Sequence, residues 1–417
     1  MPTKKQGRPR PTVTLCGIAD EKVRQEALDT AIRAFTRPEG MERHLELSLW
    51  QGELFDPEDT RVAVAEGRAV SLVVLTPRMI RFGPVKVPAM SVGPVGTHDH
   101  YRKRGYSTAV MNDASARMKA KGILIAYLVG ISGFYNRFGY YPFMARSSVK
   151  FFREPAETEL RPARLRAMTR KDLPSVRRLY DEATAGRICA AVRDDKVWDW
   201  LLRPGGHTWI FRVPKVILDA RGRLCGYLTM EPKGELNIRE IIVRQEEESC
   251  RVALGAMVRE ARRREVKEIT LPLPWDDALT VFLRQYVRAE FTMASDATGG
   301  ALMKIVDFPA LMRRLGPLFA QRWKRAGKGL PAGKFTLSSE IGSVGLTVTR
   351  GSARVGDPAG GPRVRIPQRW LSGMITGYYP LSEVAPRPGA VVPSRLMPVL
   401  EVLFPSGWPF VYQGDNM

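Results

Sequence analysis

The chain is poor in cysteine, histidine and long apolar runs. It holds four cysteines and four histidines among 417 residues. Cys16, Cys189, Cys225 and Cys250 are scattered, with no C-x-x-C spacing, which argues against a zinc site and predicts reduced thiols. The one local histidine pair, His98-Asp99-His100, has no third ligand suggested nearby, so no metal is expected. No stretch approaches the roughly 18 consecutive apolar residues that a membrane-spanning helix needs. Met1 to Pro11 is basic and contains proline but lacks an apolar segment. It is expected to be a flexible tail rather than a secretory signal, and the protein to be cytoplasmic. Acidic residues are also in deficit, with 43 Asp and Glu against 65 Lys and Arg, a formal charge of +22. The basic residues are spread along the chain, and no aromatic-interleaved basic motif is present. Solubility with incidental attraction to polyanions is therefore expected, and specific nucleic-acid binding is not.

What is present is ordinary globular composition, 44% hydrophobic and 26% charged, which excludes wholesale disorder. The length suggests two to three domains. Three sections follow. Residues 12–147 read as an α/β unit: a helix from Asp20 to about Phe35, capped by Asp20, strands at Arg61 to Ala65, Ala69 to Thr76 and Val85 to Thr97, a helix from Gly105 to Lys121, and a strand from Ile123 to Val129. Residues 148–305 repeat that order. A strand at Leu236 to Val243 leads into a helix at Ser249 to Glu265, which suggests an internal duplication. Residues 306–417 are α+β, with a helix at Phe308 to Lys324, short strands at Gly333 to Glu340 and Ser343 to Thr349, a loop at Val355 to Arg363, and a helix at Gln368 to Thr376. The end of the chain carries Trp408, Phe410, Val411 and Tyr412, too aromatic for a free tail, and is expected to be packed.

The strongest local signal is Thr97-His98-Asp99-His100-Tyr101-Arg102-Lys103-Arg104-Gly105-Tyr106-Ser107, between a strand and a helix. Gly105 lets backbone approach a ligand. The unpaired amides of a helix start, beside three basic side chains, suit a pyrophosphate. A basic turn before a surface helix is the simpler alternative. A second motif, Gly133-Phe134-Tyr135-Asn136-Arg137-Phe138-Gly139-Tyr140, follows the next strand.

Arg-x-x-Gly-x-(Gly/Ala), here with Ser107 in the last place, resembles the acetyl-CoA motif of the GNAT superfamily of N-acetyltransferases. The second motif resembles the segment after that fold's fifth strand, whose tyrosine protonates the departing thiolate; Tyr135 precedes Gly139 by the required four residues. The whole chain resembles the enhanced intracellular survival (Eis) family, which joins tandem GNAT folds, the second degenerate, to a sterol-carrier-protein-like α+β domain. The entry to that domain is matched at Ile305-Val306-Asp307-Phe308-Pro309-Ala310 and its later helix at Trp370 to Gly377.

The resemblance implies acetyl-CoA as co-substrate. It would be held by Val95, Gly96 and Thr97, by Arg102, Lys103, Arg104, Gly105, Tyr106, Ser107 and Thr108, and at the edge of the fifth strand by Gly130 and Ile131. The family often has a small hydroxyl residue where Gly130 sits. Tyr135 would be the proton donor, and the terminal carboxylate of Met417 the proton acceptor. The acceptor would be a primary amine: an aminoglycoside, a polyamine or a lysine-like group. The resemblance also implies a homo-oligomer, with a hexamer as one form. In the second copy, Arg244-Gln245-Glu246-Glu247-Glu248-Ser249 has no glycine and puts three carboxylates where pyrophosphate would sit, so that copy is expected to be inactive. The rival reading is a non-catalytic lipid- or ligand-binding protein that uses the third section.

Overall fold

A computed structural model describes residues 13–35, 46, 50, 55–154, 157–202, 214–231, 234–358 and 360–415. The expected tail at residues 1–11 and Met417 lie outside them. The chain divides into two compact units, residues 1–76 with 92–121, and residues 77–91 with 122–417. Among the described residues no helix is long and apolar enough to cross a membrane.

The first unit holds β1 (Thr14–Cys16), α1 (Glu21–Ala34), β2 (Thr60–Ala65), the start of β3 (Arg68–Phe82), the end of β4 (Val85–Thr97) and α2 (Tyr106–Ala120). Its strands lie in the order β1-β2-β3-β4. Asp20 caps α1 as expected, its carboxylate accepting from Val23 N at 2.9 Å. Ala27, Leu28 and Ala31 are the buried face of α1, and Thr30 Oγ1 donates to the Ala69 carbonyl at 2.5 Å, tying that helix to β3. On α2, Val110, Met111, Ala114 and Met118 are buried. Arg117 and Lys121 close on the buried Asp59 at 2.9 and 2.6 Å.

The second unit continues with β5 (Ile125–Gly130), β6 (Tyr140–Pro142), β7 (Arg146–Phe152), β8 (Ala163–Ala167), α3 (Leu173–Thr184), β9 (Ile188–Ala191), α4 (Asp195–Leu202), β10 (Lys215–Asp219), β11 (Leu224–Met230), β12 (Leu236–Val243), α5 (Glu247–Arg263), β13 (Glu268–Leu271), α6 (Ala278–Tyr286), β14 (Ala289–Ala294) and β15 (Gly300–Ile305). After these come α7 (Phe308–Arg314), α8 (Gly316–Ala326), β16 (Gly333–Ser339), β17 (Gly342–Val348), β18 (Ala353–Gly356), β19 (Arg363–Arg365), α9 (Gln368–Thr376), α10 (Leu381–Val384) and α11 (Met397–Leu403).

Three sheet segments organise this unit. β4 pairs with β5 in parallel, through Ala89, Met90 and Ser91 opposite Ile125, Ala126 and Tyr127. β15 lies antiparallel between β5 and β6. A seven-stranded sheet runs β8-β10-β11-β12-β13-β7-β14, with β12 and β13 parallel. A four-stranded sheet runs β18-β17-β16-β19. β7, which follows β6 in sequence, joins β13 and β14, whereas β15, which follows β14, joins β5 and β6. The two strands are exchanged reciprocally.

Several elements differ from the sequence reading. β3 runs past Thr76 and through Pro77 to Phe82. Proline cannot donate to a ladder. On the edge shared by β2 and β9, Pro77 falls after the ladder with β2 ends at Val74 and before the ladder with β9 begins at Ile80, so no donor is needed on that edge. The helix expected at 308–324 is two helices. Pro317 lacks an N–H and disfavours helical backbone before it, and the chain turns at Leu315-Gly316. The expected loop from Val355 begins later, because Ala353–Gly356 pairs with β17.

Candidate active site

In the first unit, Gly105 sits at φ +89°, ψ −1°, a left-handed conformation that glycine tolerates, and opens α2. Lys103 is also left-handed, at φ +62°, which is uncommon for a residue with a side chain and places strain in this loop. The first helical hydrogen bond at this end runs from Ala109 N to the Gly105 carbonyl at 3.0 Å. The amides of Tyr106, Ser107 and Thr108 therefore precede the ladder, and among the described residues no side-chain cap bonds them. Arg102, Lys103, Arg104 and Gly105 are exposed around them. A concave run of amides under positive potential, ringed by three cations, fits a diphosphate.

The approach to that turn is rigid. Gly96 O accepts from Ser71 Oγ at 2.9 Å, and Thr97 Oγ1 meets the same hydroxyl at 2.9 Å. His98 N donates to Val70 O at 2.9 Å. A Cβ on Gly96 would come within 2.9 Å of Ala34 Cβ, so glycine there lets the end of α1 pack against β4. Val95 is half-buried in the same strand. His98, one of the two histidines from which no metal site was expected, has its Nδ1 2.9 Å from the Asp99 carboxylate.

In the second unit, Tyr135 begins a single 3-10 turn, Asn136–Phe138, between Gly133 at φ +74° and Gly139 at φ +85°. Its ring is 9% exposed and meets Phe134 and Tyr140 edge-on at 4.8 and 6.1 Å. Burial pushes its phenol above the ordinary range, so it holds its proton at neutral pH. Gly139 is held to glycine by its positive φ; an added Cβ would also lie 2.8 Å from Gln368 Nε2, a contact that the flexible glutamine can relieve by shifting. Gly130 ends β5 directly beneath Tyr135. A Cβ there would lie 2.5 Å from Tyr135 Cε2 and 2.7 Å from Leu128 Cδ1. The missing hydroxyl noted in the sequence thus makes room for the tyrosine ring. Ile131, next in the chain, is 71% exposed.

The expected packing of the aromatic tail is observed at three of its four named residues; Trp408 is instead exposed. Phe410, Val411 and Tyr412 are buried, and Phe410 N donates to Ile188 O on β9 at 3.0 Å. The sequence reading missed what holds the tail. Arg193, Glu240 and Asp415 form a fully buried ionic triad. Arg193 Nη1 and Nη2 donate to the two Glu240 oxygens at 2.8 and 2.7 Å, and its Nε and Nη2 donate to Asp415 at 3.0 and 2.8 Å. Tyr227 O–H donates to Glu240 at 2.8 Å, and the Arg193 guanidinium lies 4.2 Å from the centre of the Tyr180 ring. Burial pulls the Arg193 pKa down, but Asp415 and Glu240 outweigh it and hold the guanidinium well above its ordinary value. Tyr127 on β5 donates to the Asp415 carbonyl at 2.7 Å. The tail is thereby tied to the strand that carries Gly130. No local spacing marks Arg193, Glu240 and Asp415, which lie far apart in the chain. The only hint was a carboxylate inside an aromatic tail.

Phe410, Val411 and Gln413 form one side of a cleft of about 790 Å³, with Val129 of β5, Arg146 of β7, Arg239 of β12 and Thr292 of β14 on its other sides. At the start of α5, where the sequence placed carboxylates, Glu246, Glu247 and Glu248 pair with Arg223, Arg251 and Arg161 at 3.3, 2.8 and 3.1 Å. Carboxylates at that end satisfy the helix dipole themselves, and their paired arginines are thereby not free to hold a phosphate there.

Residues 18–143 match the family profile described as an acetyltransferase (GNAT) domain. No curated protein matches the chain. Among solved structures, the chain is similar to a GCN5-related N-acetyltransferase from Anabaena variabilis ATCC 29413, at 15% identity and a TM-score of 0.74 over 97% of this chain and 100% of that one. It is similar to a GCN5-related N-acetyltransferase from Kribbella flavida at 16% identity and a TM-score of 0.73, over 98% of this chain and 99% of that one. It is also similar to Eis1 from Mycobacterium abscessus, at 15% identity and a TM-score of 0.67 over 97% of this chain and 100% of that one. Identities this low speak for the fold alone. The profile match falls on the residues that build the cradle and Tyr135, and with that match residues 18–143 are a GNAT acetyltransferase domain and the chain is an acetyltransferase.

Proposed function

We propose that the protein transfers an acetyl group from acetyl-CoA to a primary amine by direct attack, without a covalent enzyme intermediate. The observation that carries this reading is the uncapped start of α2 behind left-handed Lys103 and Gly105. Acetyl-CoA supplies the acyl group as a thioester. In this reading the amides of Tyr106, Ser107 and Thr108, with Arg102, Lys103 and Arg104, hold the pyrophosphate. Backbone of Val95, Gly96 and Thr97 holds the pantetheine arm, and oriented amides there polarise the thioester carbonyl. Gly130 and Ile131 edge the same arm. Tyr135 keeps its proton by burial and delivers it to the departing sulfur. An ammonium has no lone pair, so the amine must first lose a proton; the carboxylate of Met417 takes it, directly or through water.

The reciprocal exchange of β7 and β15 supports reading the second sheet as a degenerate copy of the first fold, covering residues 148–305 after a catalytic section at 12–147. Residues 306–417 form the sterol-carrier-like section of this reading, and the assembly is a cytoplasmic homo-oligomer of the Eis type. The experiment is steady-state thiol release with Tyr135→Phe and with a chain extended past Met417. Both should bind acetyl-CoA like the parent. Loss of a proton donor should lower kcat roughly 10²- to 10⁴-fold. Parental turnover by Tyr135→Phe removes the donor, and parental turnover by the extended chain removes the carboxylate.

A further inference from the structure

The cleft walled by the tail has a charge balance that bears on the acceptor. Among the described residues that line it, the charged side chains are Arg146 and Arg239. Arg239 is spent internally: its Nε donates to Glu231 at 2.8 Å, and Nη2 closes on the same carboxylate. Arg146 is exposed at the first position of β7, opposite Ala294 of β14, and no ion pair engages it among the described residues. A smaller pocket of about 360 Å³ at the end of β5 shares Val129, Met144, Arg146 and Ala294 with the cleft, and adds Asp296. That carboxylate is also committed. It accepts from Ser132 Oγ and from Thr298 N at 2.9 Å, bonds that lower its pKa and shape its own loop. Among their described lining residues, two pockets joined through Arg146 therefore offer one uncommitted charge, and it is positive.

Resting on the acetyl-transfer reading, we infer that the acceptor is an amine that also carries an acidic group, a carboxylate or a phosphate, which Arg146 binds while the amine is acetylated. A guanidinium recognises either acid through paired N–H donors. A polycation would meet Arg146 with no described carboxylate free to balance it, and the chain's charge of +22 works in the same direction.

The test uses the full chain, acetyl-CoA and amines of one length: pentylamine, δ-aminovalerate, aminopentyl phosphate and cadaverine. The readout is kcat/KM from thiol release. The parent should prefer one or both acidic amines to pentylamine on the order of tenfold, the size of one charge-assisted contact, with cadaverine poorest. Whichever acid is preferred identifies the group. Arg146→Glu should invert the order toward cadaverine, and Arg146→Lys should keep it. Arg146 is exposed, so both variants should fold, and bound acetyl-CoA checks this. If the parent treats the amines alike or prefers cadaverine, the inference falls and acetyl transfer stands. If acetyl-CoA binds and no amine releases thiol, the acetyl-transfer reading falls, and the inference with it.

Discussion

Replacing Gly130 by alanine adds one methyl group under Tyr135. An ideal Cβ at residue 130 lies 2.5 Å from Tyr135 Cε2 and 2.7 Å from Leu128 Cδ1, whereas ordinary contact begins at 3.4 Å. The ring must yield by about 0.9 Å, the difference between those distances. It has little room to do so. Phe134 and Tyr140 meet it on other sides at 4.8 and 6.1 Å, and the 3-10 turn that carries it is hinged by glycines in left-handed conformations. Rotation about χ2 would leave the hydroxyl on its axis, but Phe134 and Tyr140 pack against the ring, and a swing of the whole ring about χ1 carries the hydroxyl at least as far as the crowded edge. Overpacking of this size costs about 1–3 kcal/mol of stability. A misplacement of about 1 Å at a reacting group can lower turnover about 100-fold. The expectation is a fall in kcat of that order with acetyl-CoA affinity nearly kept. Kcat comes from thiol release at saturating acetyl-CoA, and affinity from calorimetry. A double-mutant cycle separates misplacement from general loosening: in a Tyr135→Phe background, Gly130→Ala should cost little more, because the proton it would misplace is gone. Parental kcat in Gly130→Ala, or full additivity with Tyr135→Phe, would refute the reasoning.

Two further predictions concern stability. Arg193→Met leaves Glu240 and Asp415 buried and facing each other, and should destabilise the second unit by about 3–5 kcal/mol. Asp415→Asn keeps the two Arg193–Glu240 bonds and should cost only about 1–3 kcal/mol. Urea denaturation, with proteolysis of the tail as a local readout, ranks them, and equal losses would contradict the triad's role. Glu260 gives a pH signature. Burial raises its pKa, but bonds from Arg263 and Arg264 and the charge of Lys215 lower it to about 2 from 4.5. A depressed carboxylate contributes stability above its unfolded value and loses it as pH falls through the folded one. Acid unfolding should therefore steepen between pH 4.5 and 2, and Glu260→Gln should flatten that window.

The sequence by itself located the elements whose signals are local. Asp20 marked its helix because a cap depends on a carboxylate three residues from its donor, and Gly105 marked the cradle because left-handed backbone favours glycine. The motif around Tyr135 was legible for the same reason, since Gly133 and Gly139 set the turn from within. The acidic start of α5 was legible too, as three glutamates in a row.

What only the tertiary structure decided depends on residues far apart in the chain. Strands β7 and β15 each carry an ordinary short apolar pattern, and nothing in it says that each pairs with the other's sheet. The helix break at Gly316-Pro317 was written in the sequence, yet the continuous apolar pattern around it hid the turn. Gly130 looked like a lost hydroxyl until the Tyr135 ring was seen above it. Arg193, Glu240 and Asp415 are unremarkable singly. A charge can be buried only where its partners are, and those partners meet once β9, β12 and the tail have folded together. The open charge of Arg146 is likewise a tertiary fact, because it depends on Arg239 and Asp296 having found partners of their own.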